Sequence, residues 1–155
     1  MMLIVSAFNT PVGWLEVAHD EQHVHHARFI EAGLPPHTKT AFCHLIAREL
    51  DAYFHDAYHR FQLPLKPQGT SYQLHVWNAL LVIPTGRTTT YGELAKTLQT
   101  SPRAVGQACK KNPLALFIPC HRVVGKTSYG GYMGKHEAKS YKLGLLQHEG
   151  ITDLF

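Results

Sequence analysis

Polar and apolar positions change their period part-way along the chain. Residues 3–8 form a short apolar run that reads as extended, 13–18 alternate well enough for a second strand, and a third extended run follows over 23–30. Asn9-Thr10-Pro11 and the polar stretch 19–22 separate the runs, which predicts an antiparallel three-stranded meander. Residues 31–39 read as a Pro/Gly loop. From 40 to 58 the period becomes helical, with Phe42, Leu45, Ile46, Leu50, Tyr53, Phe54 and Ala57 on one stripe. Cys43 falls on that stripe and is expected to behave as a small buried hydrophobe. The segment 61–69, broken by Pro64 and Pro67, reads as an extended stretch leading into a linker, so a boundary is placed there. It separates a first domain over 1–66 from a second over 70–155.

The second half is mostly helical. Tyr72, Val76, Trp77 and Leu80 mark one face of a helix over 71–82, and 84–86 is a turn. Thr90-x-x-Glu93 is a capping box that opens a short helix ending at Leu98. After Gln99-Thr100, Ser101 supplies an N-cap and Pro102 the first helical position of a helix reaching Lys111. Two short helices joined so tightly predict a helix-turn-helix. A last helix is expected over 135–147. There is no internal repeat and no low-complexity tract.

Composition narrows the function classes. The chain has 155 residues, enough for a real core, and a net charge of +4. Its isoelectric point of about 9.0 permits nucleic-acid binding without establishing it. No apolar run approaches the ~18 residues of a membrane span. Met1 to Val5 lacks the basic flank of a signal peptide and reads as strand. Three cysteines, Cys43, Cys109 and Cys120, form an odd set that fits reduced thiols in a cytoplasmic compartment. Cys109 and Cys120-His121 lack the paired spacing of a zinc site. His19, His23, His25 and His26 cluster near Asp20 and are expected to be solvated rather than to hold metal.

The stretch richest in chemistry is Pro119-Cys120-His121-Arg122-Val123, which follows the apolar run from Leu114 to Ile118. Proline fixes φ and offers no N–H, so Cys120 is held in a rigid backbone where a buried segment ends. A thiolate attacks carbon where a thiol does not, and an ordinary cysteine is mostly protonated at neutral pH. A histidine beside it supplies a base, reached through one water in a turn. A carboxylate brought up behind it would orient that imidazole.

This stretch resembles the active-site signature of the O6-alkylguanine-DNA alkyltransferases, the methylated-DNA–protein-cysteine methyltransferases. Tyr91-Gly92-Glu93-Leu94-Ala95, Pro102-Arg103-Ala104-Val105-Gly106, Asn112-Pro113 and His148-Glu149-Gly150 support it in the same order and at matching spacing. The resemblance implies an α+β protein. A small N-terminal α/β domain, antiparallel sheet plus helix and ribonuclease-H-like, would precede a helical, winged helix-turn-helix-like domain. It implies stoichiometric transfer of the alkyl group from O6-alkylguanine in duplex DNA to Cys120, after the nucleotide is flipped out of the stack.

Catalytic roles would fall to Cys120 as acceptor, His121 as base, Glu149 behind it and Asn112 bracing the turn. Tyr91 would donate its hydroxyl to the purine, Tyr132 would wall the pocket, Met133 would offer its N–H near O6, and the carbonyls of Cys120 and Val123 would take the exocyclic amine. Arg103 would fill the gap left by the flipped base. Ser101, Ala104, Gly106 and Gln107 would share its DNA-facing helix, where Ala104, Gly106 and Ala108 are small enough for close approach through the minor groove. No cofactor, no metal, no membrane and no obligate protein partner are implied, and a monomer is expected.

Two departures from the family pattern stand out. Lys135 replaces a usual glycine in Gly131-Tyr132-Met133-Gly134-Lys135, and the stretch from Tyr132 to Glu149 is longer than usual, which leaves Glu137 as an alternative partner for His121. The non-catalytic alkyltransferase-like proteins, which bind damaged DNA, are the alternative reading. Their acceptor cysteine is replaced, whereas Cys120 is present. A plain helix-turn-helix regulator would not need the Pro-Cys-His-Arg turn, and a cysteine hydrolase normally has its histidine far off in sequence rather than adjacent.

Overall fold

A computed structural model describes residues 2–32, 40–135 and 138–155. The chain divides into two compact units, Met1–Gln68 with Pro113–Phe117, and Gly69–Asn112 with Ile118–Phe155. Each follows from its own pattern of residues.

In the first unit, β1 (Ile4–Thr10), β2 (Gly13–His19) and β3 (Val24–Ile30) form an antiparallel sheet in that order. The register runs from Ile4 opposite His19 to Thr10 opposite Gly13 across the first pair. Alternation buries Leu15, Val17 and His19 on one face of β2. Helix α1 (Ala41–His55) starts where the Thr40 side chain accepts from the Cys43 N–H, a cap worth about 1 kcal/mol. Its apolar stripe buries Phe42, Ile46, Leu50 and Tyr53. The outer edge of β3 is not left bare. Val24 N–H donates to Pro64 O and Lys66 N–H to Val24 O, while Ala27 N–H donates to Pro113 O and Ala115 N–H to Ala27 O. Two short extended segments thus cover an edge that would otherwise invite aggregation.

Two expectations for this unit are corrected. The histidine cluster is solvated only in part: His26 is exposed and His23 half-exposed, but the other two are not. His19 is fully buried, its Nε2 bonded to Ser6 Oγ at 3.1 Å and its Nδ1 to Asp20 O at 2.8 Å. His25 Nε2 lies 2.8 Å from the Asp20 carboxylate, itself held well below the usual range chiefly by that bond. Cys43 is buried as expected, but its thiol also donates to Ser6 Oγ at 3.7 Å, so it belongs to a polar chain. Most of the loop expected over 31–39 lies outside the described residues.

The second unit holds α2 (Ser71–Leu81), β4 (Thr89–Thr90), α3 (Tyr91–Leu98), α4 (Pro102–Lys110), a 3-10 turn (Cys120–Arg122), β5 (Val123–Val124) and α5 (Lys139–His148). Both capping devices expected at Thr90 and Ser101 form, and Thr70 with Gln73 makes a further capping box. Gln99 closes α3 in the left-handed region, with φ of 57°, and sets the turn into α4. The Trp77 indole donates to Ala108 O at 2.8 Å, tying α2 to α4. Ala108 is therefore core, and only Ala104 and Gly106 of the three small residues reach solvent. The last helix begins at Lys139 rather than 135, because Tyr132 to Lys135 form a tight turn. Among the described residues no helix is long and apolar enough to cross a membrane.

Candidate active site

Pro119 has φ −81° and ψ 63°, and Cys120 N–H reaches back to Ile118 O at 2.8 Å. That is an inverse γ-turn, whose central φ proline supplies without cost. The Asn112 amide donates to the same Ile118 carbonyl at 2.9 Å, so the turn is braced from the end of α4. Cys120 emerges from it almost wholly buried and lines a pocket of about 390 Å³ with Tyr91, Cys109, Tyr132 and Met133. Burial pushes its thiol up. A hydrogen bond from Asn112 and the nearby Lys142 ammonium act the other way. Cys109, in the same wall, is pushed up to about 12 by burial and stays a thiol.

His121 is buried and points away from the pocket toward Glu149. Its Nε2 lies 2.9 Å from Glu149 Oε2, and its Nδ1 has no hydrogen-bond partner among the described residues. Arg122, next in sequence, grips the same carboxylate with Nε on Oε1 at 2.8 Å and Nη2 on Oε2 at 2.9 Å. Its Nη1 also donates to Ile83 O and its Nη2 to Thr85 Oγ1. Burial alone would raise the Glu149 carboxyl, but the bonds from His121 and Arg122 hold it well below the usual range. Burial lowers the His121 imidazole, and Glu149 only partly opposes this. A carboxylate facing a neutral imidazole fixes the tautomer: Nε2 carries the proton and donates, and Nδ1 keeps a bare lone pair.

The pocket loop is held by Lys142. Its Nζ is fully enclosed and donates to Val123 O at 2.6 Å and Gly131 O at 3.1 Å, and it stands 5.8 Å from the centre of the Tyr91 ring. One amine thus joins β5 to the pocket loop. Burial keeps the Tyr91 hydroxyl protonated by raising it. Gly130, at φ 78°, is required beside that hydroxyl, since a Cβ there would stand 2.7 Å from it. Met133 and Gly134 have φ of 51° and 69° and form a two-residue turn closed by Lys135 N–H to Tyr132 O at 2.9 Å.

Residues 71–151 match the family model described as "6-O-methylguanine DNA methyltransferase, DNA binding domain". A methylated-DNA–protein-cysteine methyltransferase of Methanosarcina acetivorans is 36% identical over 147 residues, covering 89% of this chain and 94% of that protein. The chain belongs to the methylated-DNA–protein-cysteine methyltransferase family. Its fold is similar to that of Mycobacterium tuberculosis O6-methylguanine methyltransferase, with TM-score 0.80 and 33% identity over 96% of this chain and 93% of that one. Mycobacterium tuberculosis OGT in complex with DNA matches with TM-score 0.78 and 35% identity, covering 94% of this chain and 91% of that one.

Against the family's expected site, Cys120, Tyr91, Gly106, Tyr132 and Met133 gather round one pocket. His121, Glu149 and Asn112 do not line it; His121 adjoins Cys120 in sequence and bonds Glu149, and Asn112 braces the turn. The carbonyls of Val123 and Cys120 each already accept one hydrogen bond, from Lys142 and from the Val123 N–H, and each keeps a second lone pair. Ser101 is occupied as the cap of α4, its Oγ accepting from Ala104 N–H at 3.1 Å. Arg103 and Gln107 lie exposed on that helix, with Ala104 half-exposed. Glu137 lies outside the described residues.

Sequence reasoning missed Arg122 and Lys142. Arg122 stands inside the signature itself, and its need for a carboxylate was the available signal. Lys142 precedes the apolar pair Leu145-Leu146 by one helical turn, so the same helical stripe that buries those leucines buries the amine.

Lys142 gives a signed pH prediction. Burial lowers its pKa from 10.5 to about 8. Below pH 8 it is charged folded and unfolded, and the folded state bears the whole burial cost. Between pH 8 and 10.5 the unfolded chain holds the proton that the folded one has lost, so this group's contribution to stability rises with pH. The gain is on the order of 3 kcal/mol at most. Urea midpoints of the wild type relative to Lys142→Met are expected to climb across that window. A flat difference would contradict a buried, titrating amine.

Proposed function

We propose that the chain repairs DNA by direct reversal, taking the alkyl group from O6 of guanine onto Cys120 in one self-consuming step. The observation that carries this reading is the pairing of Cys120, at the pocket wall, with a His121 whose Nε2 is committed to Glu149 and whose Nδ1 lone pair is open. Through one water His121 removes the thiol proton. Glu149, itself held by Arg122, stabilises the imidazolium that forms. The thiolate attacks the alkyl carbon, the C–O6 bond breaks, and its electron pair stays with guanine. Tyr91, kept protonated by burial, donates to the purine as charge builds there. A thioether has no good leaving group, so the protein acts once. The substrate carries its own alkyl donor, and no cofactor is needed.

Tyr132 and Met133 wall the flipped base, the Met133 N–H near O6, and the free lone pairs of Val123 O and Cys120 O take its amine. Exposed Arg103 fills the vacated stack, and the face of α4 bearing Ser101, Ala104, Gly106 and Gln107 lies along the minor groove. The three-stranded meander with one helix supports a ribonuclease-H-like scaffold over 1–66. The pair α3–α4 with the parallel strands β4 and β5 supports a winged helix-turn-helix over 70–155 that carries DNA binding and transfer. Three free thiols fit a reducing, cytoplasmic setting.

The test is titration. Increasing amounts of a duplex with one O6-methylguanine are expected to be repaired up to one lesion per protein and no further. Repair that continued past equivalence would sink the reading. A second prediction isolates α4. Arg103→Ala is expected to slow repair of duplex DNA about tenfold or more, because extruding a stacked nucleotide costs a few kcal/mol, while barely changing reaction with free O6-benzylguanine. Equal losses on both substrates would remove Arg103 from the stack.

A further inference from the structure

The mouth of the pocket carries charge that methyl transfer does not use. Its described lining includes two exposed lysines, Lys110 from α4 and Lys135 from the turn, and no carboxylate. Neither lysine has an acidic partner among the described residues. They belong to one feature. A Cβ on Gly134, next to Lys135, would stand 2.9 Å from the Cγ of Lys110, so the stem of Lys110 lies across the turn. The turn itself is sharp enough to bring Lys135 back beside Tyr132. A third ammonium, Lys142, stands behind the same wall. A concave site bounded by one sign of charge raises the local concentration of the opposite sign. A methyl group offers nothing for that field to hold.

We propose that Lys110 and Lys135 form an anion subsite at the pocket mouth, through which the protein accepts O6-alkyl groups ending in a carboxylate, O6-carboxymethylguanine being the smallest. The inference rests on Cys120 as acceptor. The reaction balances as methyl transfer does. The Cys120 thiolate bonds to the CH2 carbon, the C–O6 bond breaks with its electron pair going to guanine O6, guanine takes up a proton, and S-carboxymethylcysteine remains. The electrostatics differ. An incoming thiolate brings negative charge to a carbon that already bears a carboxylate, which disfavours attack in a neutral pocket. Two ammonium groups at the mouth offset that repulsion.

The same lysines would also suit a backbone phosphate, so the test must separate the two anions. Single-turnover rates are measured on one duplex sequence carrying O6-carboxymethylguanine, its neutral isostere O6-carbamoylmethylguanine, or O6-methylguanine. Phosphate contacts are common to all three, so the carboxymethyl-to-carbamoylmethyl ratio isolates the charge of the adduct. The wild-type ratio is expected to be one or above. Lys135→Met and Lys110→Met should each lower it several-fold, and the double variant about tenfold, since the offset is electrostatic. Lys135→Arg should restore it. A ratio that the double variant leaves unmoved would overturn the subsite. So would an equal fall on all three substrates, which would mark the lysines as phosphate contacts. If the wild type failed to react even with O6-methylguanine, the acceptor reading itself would fall and take this inference with it.

Discussion

Glu149→Ala is expected to destabilise the protein by about 3–5 kcal/mol, the usual cost of removing one partner from a buried ion pair. The carboxylate is enclosed and holds His121 through one oxygen and Arg122 through both. Without it a guanidinium loses its counter-charge in a part-buried site, and the imidazole loses the acceptor that keeps its proton on Nε2. Transfer should fall by orders of magnitude even where the variant stays folded, because Nδ1 would no longer be reliably bare. Glu149→Gln separates these effects. It keeps the shape and one acceptor oxygen but supplies no charge, so stability should recover partly and the rate much less. Urea unfolding and single-turnover transfer measured on both variants check this. A Gln variant with full rate would show that the carboxylate only props the fold.

Cys120→Ser is expected to abolish transfer while leaving the fold and lesion binding intact. The exchange changes little in volume, and the buried site already offers Asn112 as a polar neighbour, so stability should shift by about 1 kcal/mol or less. The chemistry has no substitute. A hydroxyl is far harder to ionise than a thiol, and the second thiol, Cys109, is held protonated by burial at about 12. Electrophoretic binding to an O6-methylguanine duplex should persist, with no mass gained by the protein. Transfer by the serine variant would mean that another nucleophile does the work.

What was readable in advance follows the range of the interactions. The capping signals at Thr90 and Ser101 act over three residues, and both helices begin where those residues said. The rigid backbone at Cys120 was legible for the same reason, since Pro119 fixes its own φ, although the inverse γ form of the turn was not. Pairings between distant residues were not. β4 and β5 are two residues each and exist only because 89–90 and 123–124 are brought side by side. The clamp of Arg122 on Glu149 spans 27 positions, and nothing local distinguishes that arginine from a solvated one.

His19 was misread for a subtler reason. A histidine in a polar run looks exposed, yet position 19 continues the buried face of Leu15 and Val17, and Ser6 across the sheet satisfies its ring. The period-two rule should have outweighed the composition of the run. Lys142 is the helical counterpart: its stripe said buried and its charge said exposed. Two backbone carbonyls decided the matter.

The most direct measurement is the mass of the protein before and after it meets an O6-methylguanine duplex, followed by mapping of the peptide that carries Cys120. One added methylene unit per molecule is expected, located on the Cys120 sulfur, with no further gain under excess lesion. A repaired duplex beside an unmodified protein, or a methyl group found on Cys109 or Cys43 instead, would contradict it.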